Sequence, residues 1–287
     1  MDFIEIAITN IDGEAAEAVS EVFDRYGYGG AVLETAPPDF KQVTVRTVIP
    51  AEDKGLLQKI EMILALMGKA LPGGLPAPQT KFIGQNDWAE SWKENFHVVK
   101  IGPRVVIQPS WRDYSPQPGD VVIRLDPGVA FGSGLHPTTS LCLKILQEMP
   151  LTGVDMFDVG TGSGILSIAA ARMGAGPVRS VDVDDVAARV ARENFTLNGL
   201  PDIQSDVGSA EARGGKRWSL VAANILSNIL IEIMADLKAA LAPNGQLILS
   251  GIINEQEKPM LDCLTEHRLR IQSRYVEGDW IAFVVRK

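Results

Sequence analysis

The residues from Asp158 to Gly164 read DVGTGSG, and the alanine-rich run ILSIAAARMG follows at once. Gly160, Gly162 and Gly164 suit a tight turn from a strand into a helix. Glycine permits positive φ there and lets a ligand lie against the main chain, while the unpaired N–H groups of the helix start point toward it. The dinucleotide fingerprint G-x-G-x-x-G needs a glycine where this chain has Ile165. No Gly-Lys-Ser/Thr follows, which excludes a P-loop. Downstream, SVDVDD puts Asp182 22 residues past Gly160, at the end of the next strand. An acid there can take both ribose hydroxyls of a nucleoside, the competing reading being a solvated strand end or helix cap. Asp184 and Asp185 suit capping of the following helix. Asn224, in LVAANILSN, ends a later strand, and its side-chain oxygen can accept a hydrogen bond from an amine. The alternative is an asparagine that ends a strand by turn chemistry.

A second stretch, DPGVAFGSGLHPTTSL at 126–141, spends three glycines and two prolines on one bend before turning helical. Thr138 and Thr139 follow Pro137 at a helix start, where hydroxyls cap free N–H groups or turn to a ligand. His136 beside them is either a loop residue or a proton acceptor. Three histidines in all, with no HxH or HExxH spacing, give no metal site.

The elements that must position these residues follow from periodicity. From 155 onward strands and helices alternate with short connections, which implies an open, mostly parallel, doubly wound α/β sheet. Strand-like RVVIQPSW and DVVIRLD precede it at 104–111 and 120–126. The first 80 residues read strand, helix, strand, strand, helix, strand, the pattern of a small ferredoxin-like α+β domain. No histidine or cysteine stands there, so a recognition or scaffolding role is expected. DWAESWKENF places Trp88, Trp92 and Phe96 on one face of a helix. The expected organisation is a first domain at 1–80, a linker helix at 81–103, and a cofactor-binding domain at 104–287.

G-x-G-x-G with an acid before it resembles the nucleotide-binding loop of class I S-adenosylmethionine (AdoMet) methyltransferases. Amino-group enzymes of that class often carry Asn-Pro-Pro-Tyr where this chain has Asn-Ile-Leu-Ser, so planar amides and nucleobase amines are not the expected substrates. LDPGVAFGSGLHPTTSLCL, DVGTGSGILSIAA, VDVD and AANIL together, with WKENF, IGPRVVIQPSW and the terminal GDWIAFVVRK, resemble the ribosomal protein L11 methyltransferase family over nearly the whole chain. The resemblance implies a Rossmann-like AdoMet-dependent protein methyltransferase. It would act on lysine ε-amines and the N-terminal α-amine of ribosomal protein L11, with the first domain gripping the substrate. It carries cofactor contacts onto Thr139, Gly160, Asp182 and Asn224, beside Gly162 of the loop. Asn224 would orient the amine and His136 would take its proton. The departures are Ser133 and Leu135 in the loop, and His97 and Val98 where a proline is common.

The bulk composition bounds the alternatives. The 287 residues carry a formal charge of −9, which suits a basic partner and disfavours nucleic-acid phosphates unless a local basic patch intervenes. No direct nucleic-acid binding is expected, and a monomer is. Cys142 and Cys263 offer neither a disulfide framework nor a zinc pattern. MDFIEIAIT lacks the basic start of a signal peptide, and no run of ~18 apolar residues spans a membrane, so a cytoplasmic protein is expected. The competing functions are a lysine methyltransferase for another protein, an NAD enzyme, which Ile165 opposes, and a non-catalytic ribosome-docking module, which the intact loop opposes.

Overall fold

The computed structural model describes residues 2–27, 31–35, 43–71, 74–83, 97–125 and 136–287. The chain divides into two compact units, Met1–Phe96 and His97–Lys287.

In the first unit, β1 (Phe3–Ile11), α1 (Gly13–Tyr26), β2 (Val32–Thr35), β3 (Val43–Pro50), α2 (Lys54–Ala70) and β4 (Gln79–Ile83) follow one another. Every strand pairing is antiparallel and the order is β2-β3-β1-β4. Alternation in VTVRTVIP sends Val43, Val45 and Ile49 to the side where α1 packs with Val19 and Phe23. Both helices start on an aspartate: Asp12 accepts from the Ala15 N–H and Asp53 from the Leu56 N–H, each at 2.9 Å.

The second unit opens with a three-stranded sheet, β5 (Val99–Ile101), β6 (Val105–Gln108) and β7 (Val121–Arg124). The boundary expected at residue 80 thus falls inside β4. The expected linker helix at 81–103 is corrected at both ends, where the chain is β-strand because Ile83 and Ile101 are buried in sheets. Trp88, Trp92 and Phe96 lie outside the described residues.

Then come α3 (Pro137–Glu148), β8 (Met156–Val159), α4 (Ile165–Arg172), β9 (Val178–Asp182), α5 (Asp185–Leu197), β10 (Gln204–Val207), β11 (Trp218–Asn224), α6 (Ser227–Glu232), α7 (Met234–Ala240), β12 (Leu241–Ile253), α8 (Glu257–Glu266), β13 (Arg270–Glu277) and β14 (Trp280–Arg286). The sheet order is β10-β9-β8-β11-β12-β14-β13, with β14 antiparallel to both neighbours and the remaining pairs parallel. Helices cover both faces. Leu220, Ala222 and Ile248 face a core shared with α3, α4 and α5, whereas Val221, Ala223 and Leu249 face one shared with α6, α7 and α8. Near-continuous apolar strands such as LVAA are what burial on two faces demands. The order steps outward in both directions from β8 and β11, so a crevice opens beyond their carboxyl ends. Among the described residues no helix is long and apolar enough to cross a membrane.

Candidate active site

Strand register brings the sequence-predicted residues to one edge. Val159 ends β8, Asp182 ends β9, Val207 pairs with Asp182, and Asn224 pairs with Ser250 of β12. The glycine turn is laced to β9: the Gly160 and Thr161 N–H groups donate to the Val181 carbonyl at 2.9 and 3.0 Å. Gly164 is the left-handed N-cap of α4 at φ 83°, and a Cβ there would stand 2.5 Å from the Phe195 ring. Glycine is needed at this position for its backbone and for its lack of a side chain. A Cβ on Gly160 would likewise meet Ile225 at 2.2 Å.

Asp182 is half-buried and fixed by two backbone donors, Gly162 N–H to Oδ2 at 2.9 Å and Asp184 N–H to Oδ1 at 3.0 Å. Each carboxylate oxygen keeps a lone pair for a second donor. Asp184 in turn caps α5, accepting from Val186 N–H at 2.9 Å. Asp158 underlies the turn. Its Oδ2 accepts from Thr161 Oγ1 and Ser167 Oγ, both at 2.7 Å, and its buried Oδ1 has no partner. Burial pushes its pKa up to about 6 against the pull of the two hydroxyls, and the nearby Asp182 charge adds to the rise. The sequence marks Asp158 as the acid before the loop; its burial is a property of the packed sheet.

Asn224 and Thr139 meet across the edge, Nδ2 donating to Oγ1 at 3.2 Å. Thr139 is buried and Asn224 half-buried, and the Asn224 Oδ1 accepts no hydrogen bond among the described residues. Ser250 Oγ donates to the Thr138 carbonyl at 3.1 Å, so the first turn of α3 is pinned to both β11 and β12. His136 is the N-cap of α3. Its Nδ1 stands 2.8 Å from Thr138 Oγ1 and 3.4 Å from the Thr138 nitrogen, and its ring meets Trp280 edge-on with centroids 4.7 Å apart. A capping hydrogen bond from the Thr138 N–H uses the Nδ1 lone pair, which makes Nδ1 the acceptor nitrogen of the neutral ring and places its proton on Nε2. Residues 126–135, including Gly128, Gly132, Ser133, Gly134 and Leu135, lie outside the described residues.

The whole chain from 2 to 287 matches the family model described as ribosomal protein L11 methyltransferase. The chain belongs to the ribosomal protein L11 methyltransferase family. A relative of that name from Chloroflexus aurantiacus is 39% identical over 99% of this chain and 98% of its own. One from Pelotomaculum thermopropionicum is 37% identical over 100% and 99%. A crystal structure of a ribosomal protein L11 methylase from Lactobacillus delbrueckii subsp. bulgaricus superimposes with a TM-score of 0.64 at 36% identity, covering 67% of this chain and 99% of that one. The second unit is accordingly a Rossmann-like methyltransferase fold.

Family membership gives the edge its meaning. Thr139, Gly160, Gly162, Asp182, Asn224 and His136 belong to one wall, built from the β8 and β9 ends on one side and from α3 and the β11 end on the other. Two contributors escape motif reading. Trp280, at the start of β14, braces His136 from 144 positions away. Glu277 accepts from Ser140 Oγ at 2.9 Å and from Lys144 Nζ at 2.8 Å, tying the β13–β14 turn to α3. The terminal GDW supplied a sequence signal for Trp280, and none marked Glu277.

Proposed function

We propose that this protein transfers methyl groups from AdoMet to amino groups of ribosomal protein L11, lysine side chains and the N-terminal α-amine. Family membership over the whole chain carries the reading, and the donor set at the strand ends supports it. The fixed Asp182 carboxylate suits two ribose hydroxyls, and the glycine turn offers main chain rather than side chains to the ligand. AdoMet supplies an activated methyl on a sulfonium, a good leaving group, so the protein has chiefly to orient and desolvate. Gly160 and Gly162 line the cofactor's path, Asp182 holds its ribose, and Thr139 steadies Asn224. Asn224 would present its unengaged Oδ1 to an N–H of the incoming amine and so orient it. The amine must arrive neutral; lysine titrates near ~10.4 in water, so the apolar approach lowers it or a base takes the proton. His136 would take that proton on Nδ1, giving up the cap on Thr138 as it does so.

The first unit supports a substrate-gripping role. Its antiparallel β2-β3-β1-β4 sheet with two helices supports the ferredoxin-like reading, and no cluster of His, Cys, Asp and Glu able to hold a metal is assembled there among the described residues. Mass spectrometry of purified ribosomal protein L11 incubated with AdoMet and the full chain tests the reading. Methyl-sized increments on lysines and the α-amine are expected. An unmodified L11, with AdoMet binding intact and another basic protein methylated instead, overturns it.

A further inference from the structure

At the amino ends of the strands, opposite the cofactor rim, lies a cavity of about 630 Å³. Its walls mix apolar side chains, Leu200 and Ile203 among them, with three cations, Arg179, Arg213 and Lys216, against one carboxylate, Asp202. Two of the cations are engaged. Arg179 binds Asp206 Oδ2 at 2.7 Å, and Lys216 binds Asp155 Oδ2 at 2.8 Å while lying over the Trp218 ring. The Arg179 Nε is nevertheless buried with no partner. The guanidinium of Arg213 carries no hydrogen bond or ion pair among the described residues, nor does that of Arg217, four positions further along the same loop. Between them stand Gly214 and Gly215, both left-handed at φ 72°, and the space beside Gly215 is open, so a ligand can reach the main chain there.

The positive field extends past the cavity. Lys287 lies close enough to Arg217 and Lys238 that burial first, and then these two charges, lower its pKa. A chain of net charge −9 thus gathers cations on one edge of its large sheet and leaves two of them unneutralised. The expectation of no nucleic-acid contact rested on the net charge, a sum that hides this distribution. Arginine forks match phosphate oxygens, and a partly apolar cavity of this volume accommodates a sugar and base. An acidic side chain would use the charges but has no use for the cavity.

We propose that Arg213 and the adjoining cavity form a second binding site, for a nucleotide whose phosphate is held by Arg213, with Arg217 adding to the positive field beside it. The nucleotide is either free or one residue of an RNA strand. The site is separate from the methyl-transfer site, so binding is measured without methyl donor or protein substrate, and its outcome stands apart from the reading above.

The test is fluorescence anisotropy of the full chain with a labelled oligouridylate, with uridine monophosphate as competitor. A pyrimidine probe avoids the adenosine pocket. With one phosphate engaged, oligouridylate affinity falls roughly two- to threefold over a fourfold rise in salt. In R213A/R217A it falls about tenfold or more at low salt and loses most of its salt dependence. AdoMet affinity and methylation of free protein substrate stay unchanged. Competition by the mononucleotide at a concentration comparable to the oligomer's assigns the site to a free nucleotide; competition only by the oligomer assigns it to RNA. No binding of either probe, binding untouched by R213A/R217A, or displacement by polyglutamate as effective as by RNA overturns the proposal.

Discussion

Asp182 and Asp158 stand 24 positions apart in sequence and do opposite things with a carboxylate. Asp182 is half-exposed at a strand end, oriented by two N–H groups and available for further donors. Asp182→Ala should weaken AdoMet binding by about 1–3 kcal/mol, because buried hydroxyls lose their acceptor; calorimetry with unchanged affinity would remove Asp182 from the site. Asp158 is wholly enclosed, and its ionised form is the unfavourable one. Its pKa rises from 3.8 unfolded to about 6 folded, so the folded state holds the proton more tightly across that interval. Stability therefore falls as pH climbs from about 4 to about 6, by something on the order of 3 kcal/mol from this group alone. Asp158→Asn keeps an acceptor for Thr161 and Ser167 and removes the titration. Urea midpoints of the two proteins should converge near pH 4 and diverge in favour of the variant above pH 6; parallel curves would show that Asp158 does not titrate there.

Among the elements, α3 and the glycine turn do most to assemble the wall. The capping pattern of the His-Pro-Thr-Thr start is local chemistry and could be read directly, and so could the strand–turn–helix around Gly160. What α3 leans on could not. Asn224 and Thr139 are 85 positions apart, Ser250 and Thr138 are 112 apart, and no periodicity encodes such pairs. The linker helix expected at 81–103 failed at its ends for the same reason, since Val99–Ile101 is a strand by virtue of β6 beside it. Gly164 joins the two levels, a turn glycine in the sequence and a packing glycine in the fold. Gly164→Ala should cost at least about 2 kcal/mol, as strained backbone and as a methyl driven into Phe195. A shift of the denaturation midpoint to lower urea measures it, and a neutral outcome would mean that α4 and α5 can part without penalty.

Over the large sheet as a whole, charge is divided by edge. Asp182, Asp184, Asp185, Glu255, Glu277 and Asp279 stand at the carboxyl rim, with Lys144 on Glu277, while Arg213, Lys216, Arg217, Lys238 and Lys287 outnumber Asp155 and Asp202 at the other end. A lysine-rich substrate is steered to the rim and repelled from the opposite edge. Steady-state methylation of a basic protein should show kcat/KM falling severalfold as ionic strength rises from about 0.05 to about 0.3 M. AdoMet affinity, set in this reading by short-range hydrogen bonds to Asp182 and the glycine turn, should move much less. A salt-independent kcat/KM would show that contact surfaces rather than fields select the substrate.

The sequence by itself determined what local rules encode: the alternation that makes a doubly wound sheet, the glycine turn and its downstream acid, the caps, and enough motif spacing to reach the family. Backbone conformation and burial pattern depend on neighbours within a few residues, so they are written in order along the chain. Only the tertiary structure decided which side chains share a wall, which acid is sealed from water, and where a net charge of −9 leaves positive ground. Those are properties of distance and dielectric between remote segments, and they exist only once the strands have found their order.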